Sequence, residues 1–157
     1  MPQIRKGEQQ IEVKASAEKL YGMWKQKPYE IAIAAPDQIQ SCELREGQWG
    51  KVGSVLHWKY THGDGKVRIA EERVEEIDDE NYSITFAKIG GDVMEHLKSF
   101  NATLKFIPKE AGCVVQWISE YESKHEIPVM PAGSANSNKD EYVVDLIKSV
   151  DAYLSKA

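Results

Sequence analysis

The sequence predicts an α+β domain, one antiparallel sheet with a single long helix at the C-terminal end. Three patterns carry that prediction. Between about residue 38 and residue 123, apolar and polar side chains alternate in short runs, which is the period of a half-buried strand. Turn-forming stretches separate the runs: Gly47 to Gly53, His62-Gly63-Asp64-Gly65, Asp78 to Asn81, Gly90-Gly91 and Lys109 to Gly112. Consecutive strands therefore return antiparallel, as a bent meander. Then Val143, Leu146, Ile147, Val150, Tyr153 and Leu154 recur at helical spacing. That stripe, about five turns long, must be buried, and the sheet is the only surface large enough to receive it.

In chain order, QQIEVKAS reads as a first strand. Ser16 is placed to cap a helix that sets Ala17, Leu20, Tyr21 and Trp24 on one face, and Pro28 ends it. YEIAIAA, closed by Pro36, reads as a second short helix, although its length also suits a strand. DQIQSCEL is extended. In EGQWGKVGS, Gly47, Gly50 and Gly53 stand at three-residue steps. Phosphate-binding glycine loops open a helix whose N-terminus supplies amides. Here the alternating strand pattern SVLHWKYTH follows, so the glycines join two strands. Asp64-Gly65 favours a tight hairpin before KVRIAEERVEEID. YSITFAKI ends at Gly90-Gly91, MEHLKSFNATLKFI runs to Pro108, and CVVQWISEYE follows the KEAGC turn. PVMPAGSANSN is a loop. Asn138, with Glu141 three residues on, resembles a capping box that opens the last helix.

The totals exclude several classes. The 157 residues fit a single domain, residues 1–157, with a sizeable core. A net charge of −5, from 25 acidic and 20 basic residues, with no basic stripe among the aromatics, disfavours nucleic acid as a partner. No apolar run is long enough to span a bilayer, and MPQIRKGEQQ lacks a secretory apolar region, so no integral membrane association is expected. Cys42 and Cys113, two thiols without a framework, fit a reducing, cytoplasmic setting. His57, His62, His96 and His125 are scattered, so no metal site and no cofactor are expected.

The order of one strand, two short helices, six strands and one long helix, together with EGQWGKVGS, WKYTHGDGK, RVEEIDDENYSITF, GDVMEHLKSF and VQWISEYE, resembles the plant major latex proteins. These belong to the birch pollen allergen superfamily. The resemblance covers nearly the whole chain and is most specific from Glu46 to Glu122. It implies the helix-grip fold: a seven-stranded curved antiparallel sheet wrapped around the long C-terminal helix, with two short helices and a large, mostly apolar internal cavity. It also implies that Gly47, Gly50 and Gly53 form the family's glycine-rich loop between the second and third strands. The chain departs from the family's habit in carrying Lys88 where an apolar residue is more usual and Gly90 where an acidic one is. Its AGSANSN segment is also unusually polar.

Given such a cavity, strand parity nominates its walls. Leu56, Trp58 and Tyr60 share one face of their strand, which leaves His57 and Lys59 to face water. Tyr82, Ile84 and Phe86 carry Lys88 to their own side. Phe100, Ala102, Leu104 and Phe106 alternate inward, as do Val115, Trp117, Ser119 and Tyr121. Ala70, Glu72 and Val74 share a face, and Tyr142 and Leu146 add the helix side. Without the resemblance, these aromatics read first as plain core. Lys88 and Glu72 are the sharpest candidates. Both pointing inward would let them pair across the sheet, and a desolvated lysine can serve as a base or an amine nucleophile. The blander alternative is a Lys88 that snorkels to water at a strand end. Tyr60 joins them as a potential donor to a ligand carbonyl, against the alternative of a satisfied core tyrosine. His96 follows a turn and should be solvated.

Members of this superfamily carry hydrophobic plant metabolites, and some catalyse cofactor-free cyclisations or isomerisations. The expected function is binding of a small hydrophobic molecule of terpenoid, alkaloid, sterol or hormone type, in defence or specialised metabolism, by a monomer or weak dimer. The alternatives are a cofactor-independent cyclase or isomerase acting through Lys88, Glu72 and Tyr60, and a protein-interaction module gated by ligand.

Overall fold

The computed structural model describes residues 4–61, 65–124 and 141–155. β1 (Ile4–Val13) leads through Ser16 into α1 (Ala17–Gln26). The Ser16 hydroxyl accepts from the Lys19 N–H at 3.2 Å, as an N-cap should. Leu20, Tyr21, Met23 and Trp24 form the buried face of α1. A 3-10 turn at Pro28–Glu30 and the single-turn α2 (Ile31–Ala34) follow. The strands are β2 (Ile39–Glu46), β3 (Val55–Tyr60), β4 (Arg68–Asp78), β5 (Ser83–Gly91), β6 (Leu97–Pro108) and β7 (Cys113–Ser123), and α3 (Glu141–Ser155) closes the chain. The sequence pattern started the sixth strand at Met94. Instead Asp92–Glu95 makes a 3-10 turn, whose Asp92 carboxylate accepts from the Ile69 N–H at 2.6 Å.

All pairings are antiparallel, in the order β1-β7-β6-β5-β4-β3-β2. The meander thus runs from β2 to β7, and β1 completes the sheet along β7 while α1 and α2 connect its two edges. Register shifts in β2/β3, β4/β5 and β6/β7 bend the strands locally and let the sheet wrap α3. Val143, Leu146, Ile147 and Val150 are buried in the same core as Leu20, Trp24, Phe86, Phe106 and Val115. Asp151 fixes the far end of α3, its carboxylate accepting from Lys14 N–H at 3.1 Å and Ala15 N–H at 2.8 Å.

The glycine loop joins β2 to β3, and Gly47, Gly50 and Gly53 all take positive φ, 83°, 80° and 90°. A Cβ at Gly50 would collide with the Gln26 side chain and one at Gly47 with Ser54, so the loop folds tightly on itself and on the end of α1. The Ser54 hydroxyl donates to Gln48 C=O and accepts from Gln48 N–H. This is turn chemistry. The Asp64-Gly65 hairpin turn, His125, the loop from Pro128 to Asn138 and the Asn138 cap lie wholly or partly outside the described residues.

Candidate functional site

One bulge borders the site. On β4 and β5 the register runs Glu72↔Lys88 and Glu71↔Gly90, with Ile89 as the extra residue between them. Ile89 is exposed. Lys88 continues the inward alternation of Ile84 and Phe86 and sits opposite Glu72, while the bulge puts Gly90 on the outer face beside Glu71, its would-be Cβ 3.7 Å from that of Glu71. The unusual Gly90 therefore does not touch the cavity wall, whereas the unusual Lys88 does. Gly91 closes the strand at φ 104° with its Cα packed against the β4 backbone at Ile69 and Ala70, where no side chain fits.

Between the sheet and α3 lies a cavity of about 80 Å³. Its walls are mostly apolar. Among the residues nominated by parity, it is lined by Trp58, Tyr60, Phe86, Ala102, Leu104, Trp117, Tyr142 and Leu146, together with Glu72 and Lys88. It is narrower than the resemblance implied, because large rings point into it. Ligand pockets commonly measure about 300–1,000 Å³.

Other nominated residues stand elsewhere. Phe100 and Tyr121 stack at 6.1 Å in a separate cluster with Val93 and Leu97. Leu56 and Ile84 line a smaller void beside Trp24 and Trp49. Val115 and Ser119 are fully buried and do not line the cavity. Parity gives the face of a strand, but where neighbouring elements leave space is decided by tertiary packing. Conversely, Trp24, Ile31, Ile39 and Val143 line the cavity without having been nominated. Helical spacing flagged Trp24 and Val143 as buried, and Ala70, which parity put on the inner face, lines the cavity as well. Nothing in a four-residue helix marks the facing of Ile31.

One parity expectation is corrected. His57 does not face water. It is buried at 7 % exposure, although Lys59 is exposed. Its register partners on either side are Glu43 and Glu71, and its Nδ1 lies 3.8 Å from a Glu71 carboxylate oxygen. The outer face is dense enough there to cover an imidazole. His96 is exposed, as expected.

The electrostatics of the cavity centre on Glu72 and Lys88. Burial pushes the Glu72 carboxyl above its ordinary range, opposed by Lys88 and by the nearby Trp58 indole. Burial pulls the Lys88 amine below its ordinary range, opposed by Glu72. Desolvation thus favours the neutral acid and the neutral amine over the two ions. The Lys88 Nζ sits 4.6 Å from the Phe100 ring centroid, a cation–π contact when protonated. The Trp58 indole is turned to the Glu72 carboxyl, Trp117 Nε1 is buried with no hydrogen-bond partner, and both rings line the cavity. Unmet buried donors are uncommon and costly. Tyr60 is buried and its hydroxyl is pushed up to about 12, chiefly by burial and then by Asp92. The Tyr142 hydroxyl donates to Gln38 C=O at 3.2 Å. Among the described residues no group of His, Cys, Asp and Glu could hold a metal ion, and no helix is long and apolar enough to cross a membrane.

The model of the pathogenesis-related protein Bet v 1 family matches residues 3–157. The chain belongs to the Bet v 1 family. Within it, MLP-like protein 43 of Arabidopsis thaliana is 39 % identical over 96 % of this chain and 93 % of its own length. MLP-like protein 34 of the same plant is 42 % identical over 94 % of the chain, which spans only 45 % of that longer relative. The crystal structure of ginseng major latex-like protein 151 from Panax ginseng superposes with a TM-score of 0.87 at 28 % identity, covering 96 % of this chain and 97 % of the other. The fold also matches norcoclaurine synthase from Thalictrum flavum in complex with dopamine and hydroxybenzaldehyde, with a TM-score of 0.73 at 17 % identity, covering 99 % and 88 % of the two chains.

Proposed function

We propose that this Bet v 1 family member binds a small hydrophobic plant metabolite in the cavity between sheet and helix, with terpenoid, alkaloid, sterol and hormone-like compounds as the candidate classes. The observation that carries the reading is a mostly apolar cavity whose few polar groups, Glu72, Lys88 and the Trp58 and Trp117 indoles, converge on one space. Apolar burial supplies affinity there, and the polar groups set orientation. A cavity of about 80 Å³ accepts a short ligand as it stands, and a larger one requires ring rotations. A ligand of about 20 heavy atoms at roughly 0.3 kcal/mol per atom gives a micromolar-order affinity. Titration with an apolar probe should quench or shift tryptophan emission, because Trp58 and Trp117 line the wall. Unchanged emission with no calorimetric heat would overturn the reading.

A second reading is cofactor-free cyclisation or isomerisation, with Glu72 and Lys88 as an acid and base pair and Tyr60 as a donor. It is favoured by the facing of Glu72 and Lys88 across one register pair, since positioned proton transfer contributes about 10²–10⁴-fold to a rate. The synthase of the same fold, bound to an amine and an aldehyde, supports the capacity of this architecture for such chemistry. Incubation with reactive terpenoid or alkaloid intermediates, followed by chiral product analysis, separates carrier from catalyst. A cytoplasmic, monomeric or weakly dimeric protein acting in defence or specialised metabolism fits either reading.

A further inference from the structure

The geometry points to a covalent capability: Lys88 forms a reversible imine with the carbonyl group of an aldehyde or unhindered ketone held in the cavity, and Glu72 delivers the proton that expels water. This rests on the proposed binding site and names the ligand chemistry that the site selects.

Three observations lead to it. First, Lys88 lines the cavity wall and is half-buried, on the inward face of β5 with Ile84 and Phe86. Second, the residue directly across from it is a carboxyl group, also on the wall. An amine and an acid therefore face one largely apolar space. Third, the same wall presents the Trp117 indole N–H without an acceptor, beside a Trp58 indole turned to the Glu72 carboxyl. A carbonyl oxygen is an acceptor with no proton of its own, so it matches a wall whose unmet group is a donor. A purely hydrocarbon ligand would leave that donor unmet. Burial supports the chemistry by favouring the free amine on Lys88 and the protonated acid on Glu72, the two forms that imine formation consumes. These forms differ from the ion pair by one proton moved between partners, so no external acid or base is needed.

The step balances within the site. The Lys88 nitrogen lone pair attacks the carbonyl carbon, and a nitrogen proton passes to the carbonyl oxygen to give a carbinolamine. The Glu72 carboxyl protonates that hydroxyl, the C–O bond breaks and water leaves. The iminium nitrogen then returns its proton to the Glu72 carboxylate. Amine and carbonyl become imine and water, with no change of oxidation state. An apolar surround disfavours the reverse attack by keeping water scarce.

The test uses hexanal, a short apolar aldehyde suited to the cavity volume, with sodium cyanoborohydride at neutral pH and peptide mass mapping of the resulting secondary amine. A depressed amine carries a larger free-base fraction at neutral pH, so Lys88 should label faster than any surface lysine. An apolar probe without a carbonyl should block that labelling by occupying the cavity. Lys88→Arg should abolish the fast adduct, and Glu72→Gln should slow it. Labelling spread over surface lysines with Lys88 not ahead would overturn the inference, as would fast labelling unaffected by the apolar probe. Failure of the apolar probe to bind at all would sink the binding reading itself. Probe binding without Lys88 labelling sinks only the imine.

Discussion

The two halves of the space between sheet and helix are built from the same kinds of residue and end up differently. In one half, α1 acts as a plug. Leu20 is fully buried, and Tyr21 and Trp24 set their rings 6.3 Å and 6.1 Å from that of Phe106, with Val115 fully buried in the same cluster. In the other half the helices line the space, through Trp24, Ile31, Val143 and Leu146, without filling it. Trp58, Trp117, Phe86 and Tyr60 face across to α3 and leave a cavity, and the Trp117 indole N–H remains unpaired. Rings packed on Tyr21 and Trp24 become core, and rings that face α3 across the space become a lining. A hollow half carrying an acid and an amine costs stability that the plugged half must supply, as functional sites often do.

The comparison can be tested from its strongest side downward. Phe106→Ala should cost about 3–5 kcal/mol in denaturant unfolding, since it removes a ring packed on Tyr21 and Trp24. A loss below that of any cavity-wall substitution would break the distinction between halves. Leu146→Ala, on α3 beside the cavity, should cost about 2 kcal/mol, at the low end for a buried leucine, because part of its surface already faces space. Ser16→Ala, which removes the N-cap of the plug helix, should cost about 1 kcal/mol.

The pH profile sharpens the comparison further. The Glu72 carboxyl is raised from 4.5 in the folded state, so the folded protein holds the proton longer, and stability falls as pH rises above that value. The Lys88 amine is lowered from 10.5, so the unfolded chain holds that proton longer, and stability rises as pH climbs toward that value. Glu72→Gln should flatten the first trend and Lys88→Met the second, measured by unfolding midpoints across pH. Slopes identical to the parent in both variants would mean that the pair does not titrate in the folded interior. The smallest effect belongs to Trp117→Phe. Removing an unsatisfied donor while keeping a ring should change stability by less than about 1 kcal/mol. A large loss would show that the indole N–H has a partner.

Much of this molecule was legible in the chain. Strand alternation, the turn residues and the α3 stripe depend on local periodicity, so element order, the Ser16 cap and the Pro28 stop could be read directly. The nomination of Lys88 and Glu72 as a facing pair also came from parity, and the register places them opposite one another. Parity failed at His57, because it assigns a side of the sheet and not the depth of cover on that side. It also could not separate Phe100 and Tyr121, stacked in their own cluster, from Trp58 and Trp117 on the cavity wall.

Sequence alone determined the elements, their order, the family resemblance and which side chains share a face, since those follow from periods of two and 3.6 residues. Tertiary structure alone decided the bulge at Ile89 that turns Gly90 outward, the plug that fills one half of the interior and the cavity that remains in the other. Such features arise from which distant segments meet and how closely their volumes match. No local pattern encodes that fit, because it belongs to pairs of residues far apart in the chain.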